Sequence, residues 1–472
     1  MLFTSVEFLV LVLCTFALYY LPFLRRWQVH VLIASSLVFY AWTNWQLLLL
    51  FIASVIVNVT ASYLVTHGPP AKHRLYATVG VVVNLTILAF FKYSPLIGGT
   101  LFPETSDMGL FLATIPLPIG ISFYTFEGIS LLVDAYKGNT EEKYRALVPK
   151  SLPRHIINTT FFVAFFPHLI AGPILKAHDF IPQIVPKHFA DLNWGAAFRA
   201  CVVGYFLKMV LADNLKDHTF WIAYPYYESQ STAVLATMLF GYSMQIFADF
   251  AGYSLIAIGI AYLFGYRLPD NFNFPYISLS ITEFWRRWHI SLSSFLREYL
   301  YIPLGGNRKG NVRTYINLMA VMFFGGLWHG AAWSYAVWGS FHGIALALER
   351  FFKPHFPNPT TALSKGFCML ITFFFVSFAW LLFKLPDFSQ AVGYVQSMGA
   401  NTQVEVGTIG LVTIACIAIY SVPVILYHIW YLVSQHGQAQ TIRRFSWLGY
   451  AVMLFLLFVN AGQGGDFIYF QF

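Results

Sequence analysis

A histidine enclosed by glycines is the residue of this sequence best suited to catalysis. His329 lies in GGLWHGAAW, with Gly325 and Gly326 before it and Gly330 after it. Glycines let a substrate or another backbone approach closely, at a cost in helix stability. An imidazole titrates near neutral pH and can take a proton from a hydroxyl or a thiol. This setting favours a catalytic His329, with a hydrogen-bonded packing residue as the alternative.

Polar residues around a second histidine repeat at helical spacing. Steps of four, three, four and four residues place them on one face of a predicted helix. They are Thr282, Arg286, His289, Ser293 and Arg297. A histidine between two arginines suits a phosphate-bearing ligand, because a guanidinium group pairs with phosphate oxygens through two hydrogen bonds. The alternative is an amphipathic helix at the membrane surface.

Other chemistries lack their motifs. The sequence contains no HExxH zinc motif, no GxSxG nucleophile elbow and no Walker A loop. The four cysteines stand singly in apolar segments, so we expect neither disulfides nor a metal site. His342 would point about 220° away from His329 on a continuous helix and is expected to be structural. The remaining set suits a histidine base that activates a hydroxyl or thiol for attack on an acyl group.

The segments that position these residues are apolar enough to lie in a membrane. Charged residues make up 10% of the 472 and hydrophobic residues 58%, whereas soluble proteins have about 25% charged residues. The runs 3–24, 45–65 and 366–383 are nearly continuous, unlike the alternating strands of a membrane β-barrel. We predict an all-α polytopic membrane bundle with about eleven or twelve membrane or re-entrant helices.

Basic residues mark alternate loops and predict the orientation. Arg25 and Arg26 follow the first apolar run, and the loop 137–154 is rich in Lys and Arg, whereas 94–108 has none. The positive-inside rule then places the N-terminus outside the cytoplasm, and the arginines 443–444 place the C-terminus on the same side. The net charge of +8 is dispersed, which argues against a nucleic-acid partner.

Prolines interrupt the middle of the chain between residues 159 and 190. They are Pro167, Pro173, Pro182 and Pro186. Non-helical backbone at membrane depth needs partners from protein or a water-filled cavity. We therefore expect a re-entrant, cavity-lining segment there.

Several segments match the pattern of one family. They are GGLWHGA (325–331), FWRRWHISLS (284–293), DFAGYS (249–254), NFNFPYIS (271–278), FFPHLIAGPI (165–174), PIGISFYTFEGIS (118–130), LADNL (211–215) and the ending FIYFQF. The combination resembles the membrane-bound O-acyltransferases, in particular the bacterial branch that contains alginate O-acetyltransferase. Leu255 departs from the Asp of alginate-type sequences and resembles the D-alanine transfer proteins of teichoic-acid modification. The modified polymer therefore stays open between alginate, a cellulose-like exopolysaccharide and peptidoglycan.

The resemblance implies a single membrane domain over 1–472, with N-terminal helices 1–136, a catalytic core 155–350 and C-terminal helices and tail 364–472. It implies a funnel with a cytoplasmic mouth for the acyl donor, and catalytic roles for His329 and His289. The candidates for donor or substrate binding are Arg286, Arg297, Ser293, Asp249, Tyr253 and Trp328.

The resemblance also implies substrates and a location. Members of the branch move an acetyl group from acetyl-CoA, a donor substrate and not a bound cofactor, across the bacterial inner membrane. The acceptor is a periplasmic SGNH-type acetyltransferase that modifies an exopolysaccharide or peptidoglycan. Two alternatives stay open: D-alanyl-type transfer to a cell-wall polymer, and a polysaccharide or lipid-linked-sugar flippase whose buried charges line a permeation path.

The C-terminal tail has two interpretations. Its aromatic residues follow the glycine-rich stretch 462–465 and could anchor the chain at the membrane interface. Alternatively, the tail folds back into the outer mouth of the tunnel. The Tyr469 hydroxyl would then take the acyl group or guide the partner's nucleophilic serine, with His329 as the base that activates it.

Overall fold

The helices of the chain are defined by a computed structural model that describes residues 1–42, 44–103, 105–355, 359–434, 446–465 and 467–468. Within these ranges the regular structure is helical, without β-strands. The α-helices are α1 (Val6–Tyr19), α2 (Gln28–Ala41), α3 (Trp45–His67), α4 (His73–Leu101), α5 (Asp107–Ala113), α6 (Ile121–Lys137), α7 (Leu152–Ala164), α8 (Phe166–Leu169), α9 (Ala177–Phe180), α10 (Trp194–Tyr205), α11 (Asp213–Thr219), α12 (Thr232–Leu263), α13 (Ile281–Arg287), α14 (Ile290–Leu296), α15 (Gly310–His329), α16 (Trp333–Phe352), α17 (Ala362–Lys384), α18 (Phe388–Ala400), α19 (Thr408–Ser434) and α20 (Ser446–Val459). Two π-helical segments occupy Phe206–Ala212 and Arg297–Tyr301.

Six helical runs among the described residues are long and apolar enough to cross a membrane. They are Trp45–His67, Pro70–Leu101, Trp194–Ile222, Thr232–Leu263, Ala362–Lys384 and Thr408–Ser434. Each exceeds the about 20 residues that span the hydrocarbon of a bilayer. The predicted all-α membrane bundle is confirmed. The remaining helices are shorter or less apolar, so the eleven or twelve predicted elements include pieces that do not cross on their own.

The first apolar run, residues 3–24, predicts a single membrane helix, but the structure divides it into two helical segments. Helix α1 has 14 residues, about 21 Å at 1.5 Å per residue, which is shorter than the hydrocarbon layer. The chain then bends by 103° into the run Pro22–Ala41. Pro22 cannot continue the hydrogen-bond ladder of the preceding helix, which gives the break its physical reason.

The chain forms two compact units. The first, called here the N-terminal unit, comprises Met1–Cys201 and Ser254–Pro269. The second, the C-terminal unit, comprises Val202–Tyr253 and Asp270–Phe472. The division crosses the segment 155–350 that the sequence predicts as a catalytic core, while both candidate catalytic histidines belong to the C-terminal unit.

A buried non-helical stretch occupies the proline-rich part of the N-terminal unit, as the sequence predicts. Residues 170–175, between α8 and α9, are buried. Serine hydroxyls on neighbouring helices satisfy part of the adjoining backbone: Ser130 accepts from the N–H of Ala177 at 2.7 Å and Ser36 from that of Phe166 at 3.1 Å. Such partners are what non-helical backbone requires at membrane depth.

Two glycines allow α15 and α16 of the C-terminal unit to approach closely. A Cβ on Gly326 would lie 2.9 Å from the Cα of Gly339 and collide with the carbonyl oxygen of Tyr335. A Cβ on Gly339 would collide with the carbonyl oxygen of Met322. Only three residues, 330–332, connect the two helices. This contact fixes the end of α15, where His329 lies.

Candidate active site

The two histidines singled out in the sequence lie next to each other in the C-terminal unit. His329 ends α15 with 4% of its surface exposed, and His289 is 1% exposed. Their ring centroids are 6.5 Å apart. The indole of Trp328 contacts both rings, with centroids 6.0 Å from His289 and 5.1 Å from His329. Two buried imidazoles therefore share one aromatic-walled site.

His289 sits at a break between two helices, so the continuous helix predicted from Thr282 to Arg297 is wrong. Helix α13 ends at Arg287, and His289 adopts the left-handed conformation (φ 44°, ψ 55°) before α14 begins. The reason is a competing partner: the N–H of Ile290 donates to the carbonyl oxygen of Asn271 at 2.9 Å. Left-handed backbone is costly for a residue other than glycine, and such strain clusters at functional sites.

Asn271 orients the ring of His289. Its Oδ1 lies 2.9 Å from His289 Nδ1 and also accepts from the hydroxyl and the N–H of Ser291 at 2.9 and 3.3 Å. An amide oxygen only accepts, so Nδ1 of His289 carries the hydrogen and Nε2 carries the lone pair. His289 lies outside the membrane-spanning runs, and its burial lowers its pKa because desolvation penalises the imidazolium. The ring is therefore neutral, with the lone pair on Nε2.

His329 lines a cavity of about 140 Å³ whose wall is mostly apolar. The lining residues are Trp285, Leu292, Ser293, Leu296, Val321, Met322, Gly325, His329, Trp338 and Leu346. A cavity of similar size, about 150 Å³, holds a benzene molecule in an engineered protein. The space next to the imidazole therefore suits a group of a few carbon atoms. Gly325 keeps part of this space open because it has no side chain. A Cβ at this position would lie 3.1 Å from Leu296 Cδ1.

The structure separates the predicted donor-binding residues into three groups, which lie at the histidine site, at the protein surface and in a second buried cluster. Ser293 and Trp328 lie at the cavity or at the histidine pair. Arg286 and Arg297 have exposed side chains, in contrast to the buried histidines. The predicted polar stripe is thus divided between a buried site and the protein surface, because the break at His289 changes the direction of the chain.

Asp249 and Tyr253 belong to a second buried cluster that the sequence analysis did not recognise. Lys208 Nζ lies 2.6 Å from Asp213 and 2.8 Å from Asp249, and all three side chains are almost fully buried. The ammonium also lies 5.4 Å from the ring centroid of Tyr253. The sequence did contain a signal for this cluster. A lysine within the apolar run GYFLKMVLA has a high free-energy cost at membrane depth unless it is paired. Asn271 could likewise have been found within the motif NFNFPYIS.

Two described residues near the end of the tail, Phe467 and Ile468, are buried, which contradicts the interfacial anchor at those positions. Phe467 is 0% and Ile468 4% exposed. The ring of Phe467 packs on Tyr253 at 4.4 Å and on Phe250 at 5.6 Å. Tyr469 lies outside the described residues, as do the arginines 443–444 used to predict the orientation.

Sequence comparisons place this chain within a family. Residues 112–386 match the profile of the membrane-bound O-acyltransferase (MBOAT) family. A probable alginate O-acetylase of Pseudomonas aeruginosa is 38% identical over 84% of this chain and 75% of its own length. The peptidoglycan O-acetyltransferase of Helicobacter pylori is 36% identical over 78% and 73%. The teichoic acid D-alanyltransferase of Bacillus subtilis is 30% identical over 57% and 69%. The match over more than half of the chain, together with the buried histidine pair in a helical membrane bundle, shows that this multi-pass membrane protein is an O-acyltransferase of the MBOAT family.

Proposed function

We propose that this protein transfers an acetyl group from acetyl-CoA to a hydroxyl on the far side of the membrane, for O-acetylation of a cell-envelope polysaccharide. The observation that carries this proposal is His329 in an apolar cavity of about 140 Å³, with the ring of His289 6.5 Å away. General acid–base catalysis by such a group contributes roughly 10²- to 10⁴-fold.

His329 supplies the proton transfers of the reaction. His329 takes the proton of the acceptor hydroxyl, whose oxygen forms a bond to the thioester carbonyl carbon. The carbon–sulfur bond then breaks, and the CoA thiolate takes the proton from the His329 imidazolium. His289, held neutral with its hydrogen on Nδ1 by Asn271, serves as the second polar group at the reacting centre.

The cavity wall favours an acetyl group over a D-alanyl group. Its polar members are few, with Ser293 and His329 among mostly aliphatic and tryptophan side chains. The ammonium of a D-alanyl group would need charged or hydrogen-bonding partners once removed from water. The methyl group of an acetyl group needs no such partners.

The donor is proposed to enter from the cytoplasm. Arg286 and Arg297, which are exposed, are suited to hold the phosphates of acetyl-CoA by paired hydrogen bonds. We place the protein in the bacterial inner membrane as one domain with both termini in the periplasm, as the distribution of Lys and Arg in the sequence suggests.

The acceptor is proposed to be a periplasmic SGNH-type acetyltransferase. The relatives named for alginate and peptidoglycan O-acetylation support an exopolysaccharide or peptidoglycan as the final polymer. The transferred group would reach the polymer through that partner and not through direct entry of the polymer into the site.

Release of CoA thiol by the purified protein tests the proposed function. Acetyl-CoA is supplied with and without the periplasmic partner, and the free thiol is measured. We expect release that depends on the partner or its polymer. A flippase needs no acyl donor, so absence of thiol release in both conditions would contradict the proposal.

Asn271→Ala should lower acetyl transfer by roughly 10- to 100-fold. The change removes the oxygen that holds Nδ1–H of His289, and losses of this size are typical when a partner that orients a functional histidine is removed. Turnover of purified protein at saturating acetyl-CoA is the measurement. Asn271→Asp keeps an acceptor at that position and should retain more activity than the alanine variant; equal losses in both would contradict the orienting role.

Tyr469→Phe distinguishes a relay from an aromatic anchor. We propose that the Tyr469 hydroxyl takes the acyl group or guides the partner's serine to it, because Phe467 and Ile468 are already buried near the site. The variant keeps the ring and removes the hydroxyl. Acetyl transfer to the periplasmic acceptor should collapse while membrane insertion and abundance hold. Full acetylation by the variant would return this residue to an anchoring role.

A further inference from the structure

The buried cluster of Lys208, Asp213 and Asp249 consists of ionisable side chains, which the packing of a protein interior does not require. One ammonium faces two carboxylates inside the C-terminal unit, all of them nearly inaccessible to water. Buried ions are tolerated only when further hydrogen bonds satisfy their remaining lone pairs. Lys208 Nζ forms a salt bridge with Oδ1 of Asp249 at 2.8 Å. The other oxygen accepts at 2.7 Å from the backbone N–H of Ile468, near the end of the chain.

A backbone carbonyl and a side-chain amide beside the cluster hold the same tail at two further points. The π-helical segment Phe206–Ala212 precedes Asp213, and a π-turn departs from the regular α-helical ladder. The carbonyl oxygen of Met209 in this segment accepts from the N–H of Gly462 at 2.8 Å. Asn214 donates to the carbonyl oxygen of Asn460 at 3.1 Å. The backbone of the tail is thus bound by hydrogen bonds at residues 460, 462 and 468.

Glycines bring the tail into contact with this surface. A Cβ on Gly462 would lie 2.9 Å from both the backbone nitrogen of Asn214 and the Cβ of Asp213. A Cβ on Gly464, by contrast, would meet nothing within 4 Å. The close approach therefore depends on glycine at position 462 and not at 464.

The held tail is connected to the active site through one aromatic ring. Phe467 packs on Phe250 at 5.6 Å, and Phe250 packs on His289 at 4.6 Å. Asp249, which holds Ile468, directly precedes Phe250 in the sequence. The cluster and the histidine site thus share a wall.

We propose that Lys208, Asp213 and Asp249, with the π-helical segment, form a docking site for residues 460–465 and 467–468 of the tail and position Phe467 against Phe250, which packs on His289. These three are positioning residues, and the inference rests on the proposed acyl transfer for its functional consequence. Loss of docking would remove Phe467 from the wall that it shares with the histidine site.

The test uses an Ile468→Cys reporter in the full-length protein. A buried cysteine behaves as a small hydrophobic residue, and its reaction rate with a maleimide is measured on the C-terminal peptide by mass spectrometry. Acetyl transfer to the periplasmic partner is measured in parallel, after the reporter alone has been shown to retain it. Gly462→Ala is compared with Gly464→Ala, and Asp249→Ala with Asp217→Ala, whose carboxylate is exposed.

We expect Gly462→Ala and Asp249→Ala to raise the labelling rate at least about tenfold over their controls. Transfer to the partner should fall by a similar factor with an unchanged KM for acetyl-CoA when equal amounts of folded, membrane-inserted protein are compared. Unchanged labelling in both variants overturns the docking site. Faster labelling with undiminished transfer overturns its positioning role. Failure of the parent protein to release thiol from acetyl-CoA would instead reject the proposed function, while the labelling rates still decide whether the tail docks.

Discussion

His329→Ala should lower acetyl transfer by roughly 10²- to 10⁴-fold, the usual contribution of a general acid–base group. The side chain lines the cavity proposed for the acetyl group, and its ring contacts Trp328 and Trp338 at centroid distances of 5.1 Å. The measurement is turnover at saturating acetyl-CoA by protein shown to be inserted and folded. Because the lost group acts on the reacting atoms, kcat should fall and KM should change little.

His342→Phe is the matched control for this variant. His342 is also fully buried and lies against the same Trp338, with centroids 4.9 Å apart. Neither of its ring nitrogens has a hydrogen-bond partner within the described part of the chain, so an aromatic ring of similar shape should replace it. We expect a loss below about tenfold. His329→Ala with wild-type turnover would contradict the catalytic assignment, as would equal losses in the two variants.

His289→Ala should lower turnover by roughly 10²-fold. The change removes the neutral imidazole whose orientation Asn271 controls, yet it leaves Asn271 Oδ1 with two donors from Ser291. The structural cost is therefore small compared with the loss of a group at the reacting centre. Turnover and thermal stability are measured on the same preparation, and activity within about threefold of wild type would remove His289 from the mechanism.

The membrane architecture could be predicted because each membrane helix is marked by the apolar residues of its own segment. Each long apolar run carries its own signal, as in α3 and α17. The break at Pro22 is an exception, because the first apolar run predicts a single membrane helix. The glycines around His329 are also local, and the structure shows their purpose in the contact of Gly326 with Gly339.

The break at His289 could not be predicted from the local pattern. Residues 282–297 have helical spacing throughout, and the chain leaves the helix because Asn271, which lies 18 residues before His289, accepts the hydrogen bonds of Ile290 and Ser291. The buried tail has a similar origin. Its aromatic composition favours an interface, but Asp249 supplies an acceptor for Ile468 that lies 219 residues away in the sequence. Both features depend on hydrogen-bond partners that are distant in the sequence.

The most direct measurement follows a labelled acetyl group across a membrane. The protein is reconstituted in vesicles with acetyl-labelled acetyl-CoA on the outside and a periplasmic SGNH-type acetyltransferase with its polysaccharide in the lumen. We predict that labelled ester accumulates on the lumenal polysaccharide with the wild-type protein and falls to background with His329→Ala. Labelled ester formed equally by both proteins, or polysaccharide moved across the membrane without any acetyl transfer, would contradict the account.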